Sequence, residues 1–549
     1  MDVSTPGKSI RELPSSNGQS SEEPMGGFFT RRWIVEWMLD LIGYTQDQPL
    51  NDRVLLEPCC GGGAFLLPAL ERLLAACRRS HYPVVDCEHA FCAMDLHEPS
   101  VELTRLSVIN RLQEEGLDER EAQRLAASWI EVGDFLLDER SAFADYVIGN
   151  PPYVRLENVP EDLQKTYRAK LRTMRGRADL YVGFYERALE ALKPEADLGF
   201  ICADRWMRNS YGAQLRRMIT EGPYAVDTIV KLHGVDCFEV DVSAYPAITV
   251  MRHGVQEGVA VLDAEEGFGE RDVPKAMQSL KTGVASGNFR YGHVERWFGD
   301  DVWPEGTPEE LERIQLYEQK HEPLQDERGR TRVGIGVATG ADGILVTDDP
   351  KLVEEERLLP LVMPSHIADG TLRWEPKKYL VNPWNDDGLV DLDEFPRFRQ
   401  YVEEHKRQLA SRHIAKKAPD RWYKTIDRVH PWLAATPKIL LADMKAKVTP
   451  VVDPGGLYPH HNLYWIISQQ WDLDALAGLL LSEQAELFIR SYCVKMRGGT
   501  LRMQAQYLRR IRVPSKEKLG QEEIEALRMA YHTYDREEAT KIARELYEQ

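Results

Sequence analysis

The 549-residue chain has no Cys-x-x-Cys pair, no apolar run of membrane-spanning length and no surplus of positive charge. Each absence removes a class of protein. Eight cysteines without paired spacing make neither a disulfide framework nor a zinc ribbon, and they suit a reducing cytoplasm. A bilayer span needs about 20 consecutive apolar residues, and the N-terminus lacks the charged-then-apolar order of a secretory leader. A cytoplasmic protein with no membrane partner is therefore expected. Lys and Arg number 69 against 88 Asp and Glu, a formal charge of −19. Such a chain does not coat nucleic acid indiscriminately, because counterion release needs clustered cations. A local basic cleft stays open to it.

With 43% hydrophobic and 29% charged residues, the chain can bury a large core, and its length calls for at least two domains. Residues 1–24 are rich in Ser, Pro, Gly and Glu and read as a disordered tail. From 25 to 254, short apolar runs alternate with amphipathic stretches, the pattern of an α/β fold with a mostly parallel sheet. Strands are expected at 54–57, 91–96, 130–132, 146–149, 198–203, 228–232 and 247–251. The alternation then lapses, so 255–330 reads as a connecting region. An α+β domain is expected over 331–515 and a charged helical tail over 516–549.

Residues 56–66, LEPCCGGGAFL, place a Gly-rich turn directly after the first strand. Open parallel sheets bind ligands beyond the carboxyl ends of their strands, and Gly61 and Gly63 let the backbone approach a ligand closely. A Gly-rich turn alone is weak evidence. The next strand ends in Asp95, placed to accept hydrogen bonds from ribose hydroxyls. The one after runs into Asp134 and Phe135, a carboxylate for an adenine amino group and a ring for its face. Individually, such acids are more often solvated loop carboxylates; in strand order they point to a nucleoside cofactor. The fourth strand runs into Asn150-Pro151-Pro152-Tyr153. The prolines stiffen the segment and leave carbonyls that no strand claims. The Asn150 side-chain oxygen and the Pro151 carbonyl would accept both hydrogens of an amino group on a flat ring, with Tyr153 stacked on that ring. Methyl transfer would then be direct, driven by positioning and electrostatics without a protein nucleophile.

The ordered set FFTR (28–31), EPCCGGGAF (57–65), AMDL (93–96), GDF (133–135), NPPY (150–153), DLYVGFYERAL (179–189) and LGFICADRW (198–206) resembles the gamma class of adenine-N6 DNA methyltransferases. That class includes the Taq I methylase and many restriction–modification enzymes. The resemblance implies a Rossmann-like domain using S-adenosylmethionine, with Thr30, Glu57, Pro58, Gly61, Gly63, Asp95, Asp134 and Phe135 around the cofactor. It places Asn150, Pro151, Pro152 and Tyr153 at a flipped-out adenine, with Phe238 on the base's other face. The chain departs from the family in having Thr30-Arg31 for Thr-Pro and Glu57 for the commoner Asp.

The resemblance extends more loosely to 437–466 and 496–514, and implies a target-recognition domain on duplex DNA. Cations concentrate at 406–428 and 490–512, and Arg497, Arg509 and Arg510 stand as candidate DNA contacts. For any one of them a solvated helix face is an equal reading. The partners expected are double-stranded DNA and a separate restriction endonuclease or defence-system subunit, since no nuclease-like segment precedes 25–254. His81, Cys87, His89 and Cys92 lie close in sequence but lack metal-ligand spacing, and no metal is expected. Two other readings compete. One is a methyltransferase acting on RNA or on a protein glutamine amide, whose nitrogen poses the same chemical problem. The other is a non-catalytic specificity subunit.

Overall fold

Neighbouring residues Val147 and Ile148 are both fully buried, as happens where a strand is covered on both faces. They belong to the sheet that organises the N-terminal part of the computed structural model. The structure describes residues 29–240, 245–299, 301–326, 328–445, 447–495, 501–516 and 519–548. The expected tail at 1–24, Phe28 and Arg497 lie outside these.

The chain divides into two units, one up to Glu312 and one from Arg313. In the first, nine strands form one sheet: β1 (Leu55–Glu57), β2 (Phe91–Asp95), β3 (Ile130–Val132), β4 (Ala144–Gly149), β5 (Leu192–Ala203), β6 (Tyr224–Lys231), β7 (Pro246–His253), β8 (Val259–Ala264) and β9 (Phe289–Val294). Their order is β3-β2-β1-β4-β5-β7-β6-β8-β9. Pairing is parallel from β3 through β5, while β7 runs antiparallel between β5 and β6. Helices α1 (Arg32–Leu41), α2 (Leu66–Ser80), α3 (Glu98–Glu114), α4 (Glu119–Trp129), α5 (Glu161–Lys170), α6 (Tyr181–Ala191), α7 (Ala213–Glu221) and α8 (Val273–Thr282) complete the unit. Trp37, Leu70, Phe91 and Trp129 are among the side chains of its main core.

This topology fixes where a ligand belongs. From β1 the chain proceeds to β2 and β3 on one side, then returns to β4 and β5 on the other. The order therefore reverses between β1 and β4, the kind of switch point at whose carboxyl ends open α/β sheets generally bind ligands.

The sheet does not stop at residue 254. β8 pairs parallel with β6, and β9 antiparallel with β8, so the region read as a connector supplies two strands to this unit. Gly and acidic residues around VAVLDA (259–264) mask a short apolar run that the sheet edge stabilises.

The second unit mixes sheets and helices. One antiparallel sheet orders Thr331–Ile335, Leu463–Ser468, Lys438–Ala442 and Val451–Asp453. The helices Gln521–Thr533 and Arg536–Glu548 belong to this unit rather than forming a free tail. Gly478 lies so close to Leu527 that a Cβ there would sit 2.1 Å from the Leu527 carbonyl oxygen. Leu527, Ala539 and Tyr547 are fully buried. Their apolar stripe is diluted by charge in the sequence but is continuous on the helix face. No helix among the described residues is long and apolar enough to cross a membrane.

Candidate active site

The turn after β1 is built by backbone strain and side-chain acceptors together. Gly61 and Gly63 have φ of +46° and +83°, a region that side chains disfavour. Asp95, at the end of β2, accepts the Gly61 N–H (2.9 Å) through one oxygen and the His97 N–H (2.8 Å) through the other. Thr104 on α3 donates to the Gly61 carbonyl at 2.7 Å. Asp95 thus ties the Gly-rich turn to the segment after β2. Pro58 is buried, and its ring lies against Gly149 at the end of β4.

Glu57 is almost completely buried, and its Oε2 has no hydrogen-bond partner among the described residues. Burial pushes its carboxyl well above the usual range, the charge of Asp95 adds to this, and a backbone N–H at Leu66 opposes both. Such a buried, under-satisfied acid is the kind of group found at ligand-binding positions.

Beyond β3, Asp134 accepts the Leu136 N–H at 3.0 Å and the Tyr167 hydroxyl at 2.7 Å. Burial raises its carboxyl above the ordinary value, and those two donors pull it back. Phe135 is buried with its ring 5.7 Å from that of Phe184. Tyr167 had no place in the reading of the sequence. The signal for its helix was present: Pro160 before Glu161 and Asp162, and Arg168 and Lys170 in the last turn.

At the end of β4 three chain segments converge. The Asn150 side-chain nitrogen donates to Thr30 Oγ1 at 3.2 Å, which turns the amide oxygen away from Thr30. The Asn150 carbonyl accepts the Cys59 thiol at 3.4 Å, tying the tetrapeptide to the Gly-rich turn. Thr30 pairs with Phe238 in an isolated antiparallel bridge, flanked by Arg31 N–H to Cys237 O and Glu239 N–H to Phe29 O, both 2.9 Å. Phe238 is thereby brought to Tyr153, their rings 6.3 Å apart and nearly perpendicular. Arg31 takes an extended conformation and pairs with Asp236, so α1 starts at Arg32 without the usual proline.

More aromatic rings back the tetrapeptide. Tyr181 lies 6.2 Å from Tyr153, and its hydroxyl meets the Tyr211 hydroxyl at 2.5 Å and donates to the Asp179 carboxylate at 3.1 Å. Burial raises the Tyr153 phenol well above its usual value and keeps it neutral. Nearby, Asp204 beyond β5 is buried with Arg208 (2.7 Å) and His233 (3.0 Å). His233 begins the loop that carries Phe238, so this ion network anchors the loop. Sequence reasoning missed it because its members come from separate segments.

A family model for the Eco57I restriction-modification methylase matches residues 89–238. Over 502 residues the chain is 43% identical to the Type II methyltransferase M.PaeR7I of Pseudomonas aeruginosa, spanning 90% of this chain and 86% of that one. It is 41% identical over 542 residues to M.XhoI of Xanthomonas vasicola, spanning 95% and 97%. The chain belongs to the Type II restriction–modification DNA methyltransferases. Its fold is shared with a solved restriction–modification enzyme, MmeI in complex with DNA, at a TM-score of 0.56 and 11% identity, over 94% of this chain and 73% of that one.

The second unit of this Type II methyltransferase uses many of its cations internally. The Arg509 guanidinium donates twice to the Val333 carbonyl, at 3.0 and 3.2 Å. Arg510 lies over the Tyr492 ring at 4.5 Å and 3.7 Å from Glu318. Arg412 donates to the carbonyls of Leu409, Thr339, Trp422 and Lys424. These contacts hold loops and helices together and engage part of each of the two basic clusters within the unit. Arg407, Lys416, Lys417 and Arg421 are exposed. Among the described residues, Asp342, His460 and His461 form the one metal-capable group of three. There the His460 ring is already hydrogen-bonded to Asp342 at 3.0 Å.

Proposed function

We propose that this methyltransferase transfers a methyl group from S-adenosylmethionine to N6 of an adenine flipped out of a specific duplex sequence, as the modification partner of a separate restriction endonuclease. One observation carries the reading. At the end of β4 the Asn150 side-chain amide is steadied by Thr30, its backbone carbonyl is tied to the Gly-rich turn through the Cys59 thiol, and the rings of Tyr153 and Phe238 meet 6.3 Å apart. An amino-bearing flat base and a methyl donor would meet there.

The residues present fit S-adenosylmethionine, which supplies an electrophilic methyl on a sulfonium. Glu57, buried and under-satisfied, suits its cationic end. Asp95 suits the ribose, Asp134 the adenine amino group and Phe135 the adenine face. Thr30 aims the Asn150 oxygen at the target. That oxygen and the Pro151 carbonyl accept the two N6 hydrogens and draw the nitrogen lone pair out of conjugation. S-adenosylmethionine, when bound, would supply its methyl group to that lone pair and depart as the neutral thioether, and the surplus N6 proton would pass to solvent when the site reopens. Tyr153 and Phe238 hold the ring in line and keep water out. The unstacked base must be extruded from the helix to reach them.

Asn150→Ala tests this assignment. Methyl transfer falls by at least about a thousandfold, as when a transition-state interaction is removed, while cofactor and duplex affinities stay near wild type. Near wild-type turnover by this variant would contradict the mechanism.

A further inference from the structure

The segment that leaves the tetrapeptide does not run straight to α6. Leu156 N–H bonds Ala178 O at 2.9 Å and Leu180 N–H bonds Val154 O at 2.8 Å, closing residues 157–177 into an excursion that carries α5. The excursion is cross-braced. Arg168 donates to the Met174 and Gly176 carbonyls, and Arg175 donates back to the Arg168 carbonyl. Among its buried side chains is Tyr167, 1% exposed, whose hydroxyl donates to Asp134 Oδ2 at 2.7 Å.

Asp134 therefore has each oxygen fixed by one donor: Oδ1 by the Leu136 N–H within its own turn, Oδ2 by a side chain from a different element. A carboxylate offers about four acceptor positions, so two remain, and their direction is set by the two donors already in place. We infer that Tyr167 is a positioning residue that orients the Asp134 carboxylate toward the cofactor's adenine amino group, giving the site its preference for adenine over other purines. The inference rests on the reading of Asp134 as the adenine acceptor. It also gives the excursion a purpose, because the chain that forms the target-base tetrapeptide would tune the cofactor pocket a few residues later. A phenol that merely satisfies its own buried hydroxyl would leave base preference untouched, and that difference is measurable.

The experiment compares full-length wild type, Tyr167→Phe and Asp134→Asn in titrations with two ligands. These are S-adenosylhomocysteine and its purine analogue, in which hydrogen replaces the 6-amino group. Wild type should prefer the adenine ligand by about tenfold or more, as expected for a charge-assisted hydrogen bond, and Asp134→Asn should lose most of that preference. Tyr167→Phe should lower the preference about fivefold, in keeping with one missing hydrogen bond, through weaker binding of the adenine ligand alone. Preference retained in Tyr167→Phe, or equal weakening toward both ligands, would overturn the role given to Tyr167. Absence of preference in wild type would instead overturn the reading of Asp134 itself. Thermal unfolding of each variant identifies any loss of affinity that comes from misfolding.

Discussion

The crevice of the first unit and the basic segments of the second contrast in how residues meet their partners. In the crevice, Glu57 keeps an unsatisfied oxygen, and Asp95 and Asp134 commit part of their capacity to backbone or Tyr167 and keep the rest. In the second unit, Arg412 donates to four carbonyls and Arg509 and Arg510 are engaged by protein groups. Groups at strand ends retain capacity because the topology leaves a crevice there. Long cations within a folded unit find acceptors close by, and their density in the sequence says little about what they face.

Two single substitutions press on that contrast most strongly. Asp134→Ala should weaken cofactor binding about 10- to 100-fold, the scale of removing a hydrogen bond to a charged acceptor, with a smaller drop in the unfolding midpoint from the Tyr167 hydroxyl that loses its acceptor. Arg510→Glu should do the reverse, setting a carboxylate beside Glu318 and removing the stack on Tyr492. It should cost about 1–3 kcal/mol of stability, read as a lower thermal midpoint of the second unit at unchanged cofactor affinity. A cofactor defect in Arg510→Glu, or a stability defect alone in Asp134→Ala, would break the comparison.

Glu57 gives a smaller, pH-dependent effect. Its folded carboxyl titrates well above the usual 4.5, so the folded state holds a proton that the unfolded chain has released. Stability from this group is full below the unfolded value and declines as pH rises from there toward the folded value. Glu57→Gln should remove that decline, as seen in denaturation midpoints across pH. Binding of a cationic ligand should release more protons from wild type than from Glu57→Gln, measurable by calorimetry in buffers of different ionisation enthalpy. The smallest expected effect belongs to the exposed cations. Reversing Arg407 or Lys417 should make the salt dependence of duplex binding shallower by about 0.9 for each phosphate that is no longer neutralised. An unchanged slope would remove those residues from the interface.

The seven strands from β1 to β7 were legible because each contains a short apolar run, and the first four end in chemically marked turns. Asn150, Thr30 and Phe238 were legible as positions; that Thr30 hydrogen-bonds Asn150 was not, because 120 residues separate them. β8 and β9 were obscured by Gly and acids, and the helices after Gly520 by charge that hides a narrow buried stripe. Tyr167 and the Asp204–Arg208–His233 network depend on packing between elements distant in sequence, which no local pattern encodes.

The reading of the crevice stands or falls on the atom that is methylated. Duplex DNA incubated with the full-length protein and S-adenosylmethionine labelled in the methyl group can be digested to nucleosides and resolved by mass spectrometry. Label in N6-methyladenine, absent with Asn150→Ala, is the expected result. Label in N4-methylcytosine or 5-methylcytosine, or in no base at all, would contradict it.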